Sequence, residues 1–254
     1  MKLTVLTSGS KGNCSCLQCP SATILIDIGL TYHRLIKDLE MLHLTIDDID
    51  ALLLTHTHKD HILGLAVAIK HSHFPIYITE EMYPEIKDII PKERIEFYQP
   101  VSTHIAAVSI QTIRISHDAP GAVGFVIESN DHSLVYITDT GYIHKKYFPL
   151  LSNREIYYLE SNHDEKMLMD GPYPYVIKQR IISDEGHLSN ETAAGYLESL
   201  VGNKTKYIIL AHLSEHNNTA ELALTAAREH LAQTSYQPKI IVANAQEISE
   251  LVEV

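Results

Sequence analysis

A strand that ends in a dense cluster of metal-binding side chains leaves little freedom in how the rest of a chain is arranged. Here the apolar run Ile49-Asp50-Ala51-Leu52-Leu53-Leu54 passes directly into Thr55-His56-Thr57-His58-Lys59-Asp60-His61-Ile62. A strand delivering such residues at its carboxyl end puts them where α/β proteins bind ligands. His56 and His58 alternate on one side, and Asp60 and His61 follow as the chain turns into a helix. Neutral imidazole mixed with carboxylate oxygen suits borderline-to-hard divalent ions. One such histidine would be a solvated polar residue; the set at this spacing predicts a metal site.

The remaining apolar runs show what carries that strand. Strand-like segments are expected at Leu3–Leu6, Thr23–Asp27, Ala51–Thr55, Ile76–Ile78, Ile95–Tyr98, Val108–Ile115, Val123–Glu128 and Leu134–Thr138. Ile156–Glu160, Tyr207–Ala211 and Lys239–Val242 continue the series, with further alternation around Pro172 and Pro174. Helical periodicity marks Tyr32–Leu44, Ile62–His73, Asn190–Leu200 and Ala220–Gln233. This order predicts an α/β (α+β) fold with two face-to-face sheets and helices outside, in one domain spanning 1–254. Cys14, Cys16 and Cys19 are the only cysteines, an odd set with no fourth thiol to complete a zinc site. They are expected as small buried or half-buried strand residues.

A net charge of −12 argues against a broad basic surface for nucleic acid. It does not exclude that partner, because two bound divalent ions would add positive charge inside the cleft. No apolar run approaches the roughly 18–20 residues of a membrane helix, so no membrane association and a cytoplasmic location are expected.

Other polar residues close apolar runs in the same way. His117 follows Ile113-Arg114-Ile115-Ser116, Asp139 follows Leu134-Val135-Tyr136-Ile137-Thr138, and His212 follows Tyr207-Ile208-Ile209-Leu210-Ala211. With the first cluster, this constellation resembles the metallo-β-lactamase superfamily across nearly the whole chain, which implies a four-layer αββα sandwich. The resemblance implies a first ion on His56, His58 and His117. It implies a second on Asp60, His61 and His212, with Asp139 bridging the pair. Asp27, in Leu25-Ile26-Asp27-Ile28-Gly29, matches an aspartate that orients the site without holding metal. No Cys follows Cys19, unlike class B β-lactamases; His58 is not the Glu of flavodiiron proteins; and the stretch from Asp139 to His212 is too short for a β-CASP insert.

Within the superfamily, Thr7-Ser8-Gly9-Ser10-Lys11-Gly12-Asn13 resembles the opening loop of the YycJ/WalJ (VicX) exonuclease branch. Glu160-Ser161-Asn162-His163-Asp164, Gly186-His187-Leu188-Ser189-Asn190 and Leu210-Ala211-His212-Leu213-Ser214 agree with it. That branch implies a metal-dependent phosphodiester hydrolase acting as a 5′→3′ DNA exonuclease, with the nucleic acid bound through its phosphates. Two divalent ions, Zn²⁺ or Mn²⁺ and alternatively Fe²⁺, would hold the attacking hydroxide. Asp60 and Asp139 would fix metal and nucleophile, and His187 would bind phosphate or protonate the leaving oxygen. Ser8, Ser10, Lys11, Asn13, His163 and Ser189 are candidate substrate contacts. The alternatives are an RNA-processing nuclease, a glyoxalase II- or lactonase-like ester or thioester hydrolase, and a regulatory binding protein without turnover.

Overall fold

In the computed structural model, which describes residues 1–254, the apolar runs form two seven-stranded sheets. The first contains β1 (Lys2–Thr7), β2 (Cys14–Cys19), β3 (Ala22–Ile26), β4 (Ala51–Leu53), β5 (Ile76–Ile78) and β6 (Ile95–Phe97) in that spatial order. The second contains β7 (Thr103–Ile105), β8 (Val108–Arg114), β9 (Val123–Ser129), β10 (His132–Ile137), β11 (Ile156–Glu160), β12 (Tyr207–Ala211) and β13 (Lys239–Val242). A short β14 (Val252–Glu253) returns to pair with β1. Each sheet begins as an antiparallel meander and continues in parallel, from β3 in the first and from β10 in the second. Parallel neighbours require crossovers, and those crossovers carry the helices.

Helices α1 (Tyr32–Met41), α2 (Lys59–Ile62), α3 (Leu65–His71) and α4 (Tyr83–Ile86) belong to the first half. Helices α5 (Phe148–Leu151), α6 (Glu165–Asp170), α7 (Tyr175–Ile181), α8 (Asn190–Leu200) and α9 (Ala220–Leu231) belong to the second. Leu17, Ile24, Leu52 and Ile76 pack with Val108, Phe125, Tyr136 and Tyr158 in one cluster between the sheets. Leu35 and Leu39 of α1 and Leu65 and Ala68 of α3 join that cluster. A second cluster seats Leu197 of α8 and Ala223 and Ala227 of α9 on Val135, Leu159 and Leu210. The layers therefore run helix, sheet, sheet, helix, as expected.

The rings of Tyr136 and Tyr158 stack at 3.9 Å in this interior, their hydroxyls bonded to Ser15 and Ser8. Cys14 and Cys16 are fully buried on β2. Burial pushes the Cys16 thiol up to about 12, so no reactive thiolate forms at neutral pH.

Two expectations differ from the structure, and two short strands were not expected. The helix read over Ile62–His73 is interrupted at Gly64, whose N–H leaves the helical ladder and donates to the Ile28 carbonyl at 2.9 Å; the backbone passes so close to Leu30 there that a Cβ would lie 2.4 Å from its carbonyl oxygen. The segments flanking Pro172 and Pro174 are α6 and α7 rather than strands, with the Asp164 carboxylate accepting the Met167 N–H as a cap. Strands β7 and β14 are too short to show alternation in sequence.

Candidate metal centre

The polar residues that close β3, β4, β10, β11 and β12 meet at one rim. Asp27, Asp139 and His212 hold left-handed backbone there, with φ of 58°, 54° and 55°. For a residue other than glycine this costs of order 1–3 kcal/mol and persists only when the surroundings over-determine it. A backbone bend just past each strand turns these side chains toward a common point.

His56, His58 and His117 form one group of donor atoms, all within 4.8 Å of one another. The hydrogen-bond network assigns the His56 tautomer. The Thr55 hydroxyl donates to Asp27 at 2.8 Å, so toward His56 Nδ1 at 3.1 Å it accepts. The proton therefore sits on Nδ1, and Nε2 keeps its lone pair. Burial holds His56 well below the usual histidine range, so the ring is neutral. Nδ1 of His117 donates to the Glu185 carbonyl, leaving Nε2 beside His58 Nδ1 at 3.1 Å.

Asp60, His61, Asp139 and His212 form the second group, again within 4.8 Å. Nδ1 of His61 donates to Asp27 at 2.8 Å, and its Nε2 lies 3.2 Å from Asp139. Nε2 of His212 lies 3.5 Å from Asp139 and 3.7 Å from Asp60. Burial by itself would lower the His61 pKa, but Asp27 and Asp139 overcome it and raise it to about 10. Burial would raise Asp139, yet His212 and His61 hold it well below the usual carboxylate range. Both shifts report a field that demands positive charge.

Glu160 closes β11 in the way Asp139 follows β10, and its role at the site was not foreseen from sequence. It is fully buried. One carboxylate oxygen accepts from Nδ1 of His187 at 2.7 Å and Nδ1 of His212 at 3.0 Å. The other accepts the Thr140 N–H at 2.9 Å. Burial would raise its pKa, but His187 and His212 push it down to about 2. Glu160 thus aims two imidazoles at once and leaves the Nε2 of each directed elsewhere. The usable signal was a lone carboxylate ending an otherwise apolar strand. Glu160→Gln is expected to weaken metal binding by about 10–100-fold, as loss of a ligand-orienting partner does; a competitive chelator titration measures it.

Two observations test whether divalent ions fit. His56 Nε2 and His212 Nε2 are buried without any hydrogen-bond partner, a costly arrangement for lone-pair nitrogens unless a cation takes them. No lysine or arginine contacts Asp27, Asp60, Asp139 or Glu160, so their charge is met only by imidazoles. The donor set fits a pair of divalent ions.

The opening loop sits beneath this centre and corrects two expected contacts. The Ser8 hydroxyl is buried, bonding Tyr158 and the His212 N–H, so it faces the interior rather than a substrate. Asn13 is also fully buried; its amide spans Gly9 and His61, and its N–H donates to the Asp60 carbonyl at 2.8 Å. Ser8 N–H donates to Asn244, Gly9 N–H to Asn13 and Gly12 N–H to Gly9, so these donors do not cradle a phosphate. Lys11 is exposed but paired with Glu215 at 2.6 Å, and Ser10 lies exposed at the loop tip. The loop works as a brace under α2. His163 and Ser189 lie side by side as a β-bridge next to His187.

Two stacked mixed sheets carrying histidine and carboxylate groups at their strand ends define a hydrolase of the metallo-β-lactamase type. The chain belongs to that superfamily: the family model for the beta-lactamase superfamily domain matches residues 22–212. It is 34% identical over 238 residues to the exodeoxyribonuclease WalJ of Streptococcus pneumoniae, covering 91% of this chain and 88% of that protein. It is 32% identical over 240 residues to the exodeoxyribonuclease YycJ of Bacillus anthracis, covering 93% and 91%. The chain therefore belongs to the family that contains these two relatives. The metallo-beta-lactamase fold protein YhfI from Bacillus subtilis superposes with a TM-score of 0.76 at 18% identity, over 99% of both chains. No helix is long and apolar enough to cross a membrane.

Proposed function

We propose that this protein is a 5′→3′ exodeoxyribonuclease that hydrolyses phosphodiesters with two divalent ions, zinc or manganese. The observation that carries the reading is the Glu160–His187 pair beside the two donor groups, in a chain whose full-length relatives are named exodeoxyribonucleases. His56, His58 and His117 would hold one ion; Asp60, His61, Asp139 and His212 would hold the other. Bound there, the ions supply Lewis acidity toward phosphoryl oxygens and lower the pKa of water. Phosphoryl transfer asks mainly for positioning and charge stabilisation, which such a site provides.

The protein's own residues handle the protons. Burial would lower the His187 pKa, but Glu160 and Asp139 overcome it and raise it above the usual histidine value. With Nδ1–H committed to Glu160, Nε2–H is the proton His187 delivers to the leaving 3′-oxygen. Asp60, the most exposed carboxylate of the second group, accepts the proton released by the attacking water. Asp139 holds His61 and His212 in register.

His187→Ala is expected to reduce turnover by about 10²–10⁴-fold with metal content intact. Unchanged turnover by metal-replete His187→Ala protein would remove its proposed role. The function itself is tested with duplex DNA labelled at either end, RNA and a thioester, each with Mn²⁺ or Zn²⁺. Stepwise release from the 5′ end of DNA is expected; hydrolysis of the thioester alone would sink the nuclease reading.

A further inference from the structure

In a chain of net charge −12, the segment Tyr142-Ile143-His144-Lys145-Lys146-Tyr147 exposes two lysines and a histidine and contains no carboxylate. It begins three residues after Asp139, which at about 3.6 Å per residue puts the Tyr142 backbone within about 11 Å of that of Asp139. Two hydrogen bonds tie the same stretch to the residue before His117. Ser116 N–H donates to the Thr140 hydroxyl at 3.1 Å, and Gly141 N–H donates to the Ser116 carbonyl at 3.0 Å. A groove of about 140 Å³ opens there, walled by Arg114, Ser116, Tyr142, His144, Lys146 and Tyr147. Gly141, next to Tyr142, walls the separate cavity that contains His187.

Tyr142 is 40% exposed, so its ring is open to a partner. The Lys146 ammonium lies 4.8 Å from the Tyr147 ring centroid, a contact that orients the charge without neutralising it. Glu81 is paired with Arg114 and Asp118 with Arg180, which leaves Lys145 and Lys146 without a carboxylate partner. A solvated lysine pair is ordinary on a surface. This one differs in having an open aromatic beside it and in being fastened to the strand ends that present Asp139 and His117.

We propose that Tyr142, Lys145 and Lys146 form a track for the DNA retained after each cut, with the lysines on its phosphates and Tyr142 against a base or sugar face. The track rests on the nuclease reading. Stepwise release frees one nucleotide at a time, so the phosphates beyond the scissile one belong to the retained strand. The groove falls below the roughly 300–1,000 Å³ of small-molecule pockets, which suits a passing backbone rather than a free nucleotide. Lysine neutralises phosphates whatever the sequence, and aromatic stacking is equally tolerant of the base. An enzyme that digests DNA without regard to sequence needs both properties.

The test uses the metal-loaded full chain and DNA whose 5′-terminal linkages are methylphosphonates to prevent hydrolysis. Binding is read by fluorescence anisotropy over a salt series, and digestion of the unmodified DNA runs in parallel. Removing both charges in Lys145→Gln/Lys146→Gln is expected to flatten the slope of log K against log salt by about 1.8 for duplex, at about 0.9 per phosphate contact, and to raise the KM for DNA. Tyr142→Ala should weaken single-stranded DNA by roughly fivefold or more while keeping the wild-type salt slope. Lys37→Gln/Lys204→Gln removes the same charge from exposed positions elsewhere and should keep the wild-type slope. Equal slopes in the two double variants, or wild-type affinity in Tyr142→Ala, overturn the track. DNA binding with the expected slopes but no digestion removes the nuclease reading and leaves the track standing; digestion from the 5′ end with a wild-type slope in Lys145→Gln/Lys146→Gln does the reverse.

Discussion

Asp139→Asn is expected to lower turnover by about a thousandfold or more, since the ions' Lewis acidity accounts for several kcal/mol of barrier and each 1.36 kcal/mol is tenfold. The reason is position. Asp139 is the buried carboxylate closest to Nε2 of both His61 and His212, at 3.2 and 3.5 Å against 3.6 and 3.7 Å for the more exposed Asp60. Asparagine keeps the shape and removes the charge, so any loss reports electrostatics rather than packing. Metal stoichiometry by elemental analysis should fall from two ions per chain. A second readout is thermal. Ion saturation about a thousandfold above Kd adds roughly 4 kcal/mol of stability. For a chain of this size each kcal/mol is worth about 2–4 °C in Tm. The wild type should gain about 10 °C on metal addition and Asp139→Asn clearly less; equal gains in both would show that Asp139 holds no ion.

Gly29→Ala is expected to be the most damaging substitution outside the ligand groups. A Cβ at position 29 would stand 1.6 Å from the Asp60 carbonyl oxygen and 2.5 Å from the Asn13 nitrogen. Those atoms are backbone and cannot rotate away. Asn13 N–H donates to that same Asp60 carbonyl, and Gly29 N–H donates to Asn13 at 2.8 Å, so the clash strikes the brace that seats α2. Overpacking of this kind costs about 1–3 kcal/mol, or roughly 3–10 °C in Tm. The larger effect is on chemistry. A displacement of about 1 Å of Asp60 and His61 can cost on the order of 10²-fold in rate. Gly195→Ala is the control, because its Cβ meets only His230 Cε1 at 3.8 Å inside α8. Alanine there should stabilise by about 0.5–1 kcal/mol. Similar losses in both variants would show that the close contact at Gly29 is not the cause.

Much of the site was readable from the chain because strand ends carry it. His56, His58, Asp60 and His61 are contiguous, so spacing alone exposes them. His117, Asp139 and His212 are each a polar residue closing an apolar run, a pattern visible once a metal site was in view. Glu160 has the same pattern yet was not singled out. A buried carboxylate at a strand end is recognisable as an orienting group only when the two imidazoles it serves lie beside it. Ser8 and Asn13 failed in the opposite direction. A glycine-rich loop with hydroxyls looks like a phosphate cradle, but the N–H groups of Ser8, Gly9, Gly12 and Asn13 are taken by Asn244, Asp60 and the loop's own turn.

What the sequence determined by itself was local: the alternation that makes sheets, the histidine spacing that presents donors on one side, and the residue types that suit divalent ions. The tertiary structure alone decided which strand ends meet and which nitrogens lack partners. It also decided that Glu165 and Met169 of α6 share a cavity with His187. These follow from contacts between residues far apart in the chain, such as Glu160 with His212 and Asp27 with His61, whose geometry depends on the stacking of two sheets and on left-handed bends past their strands.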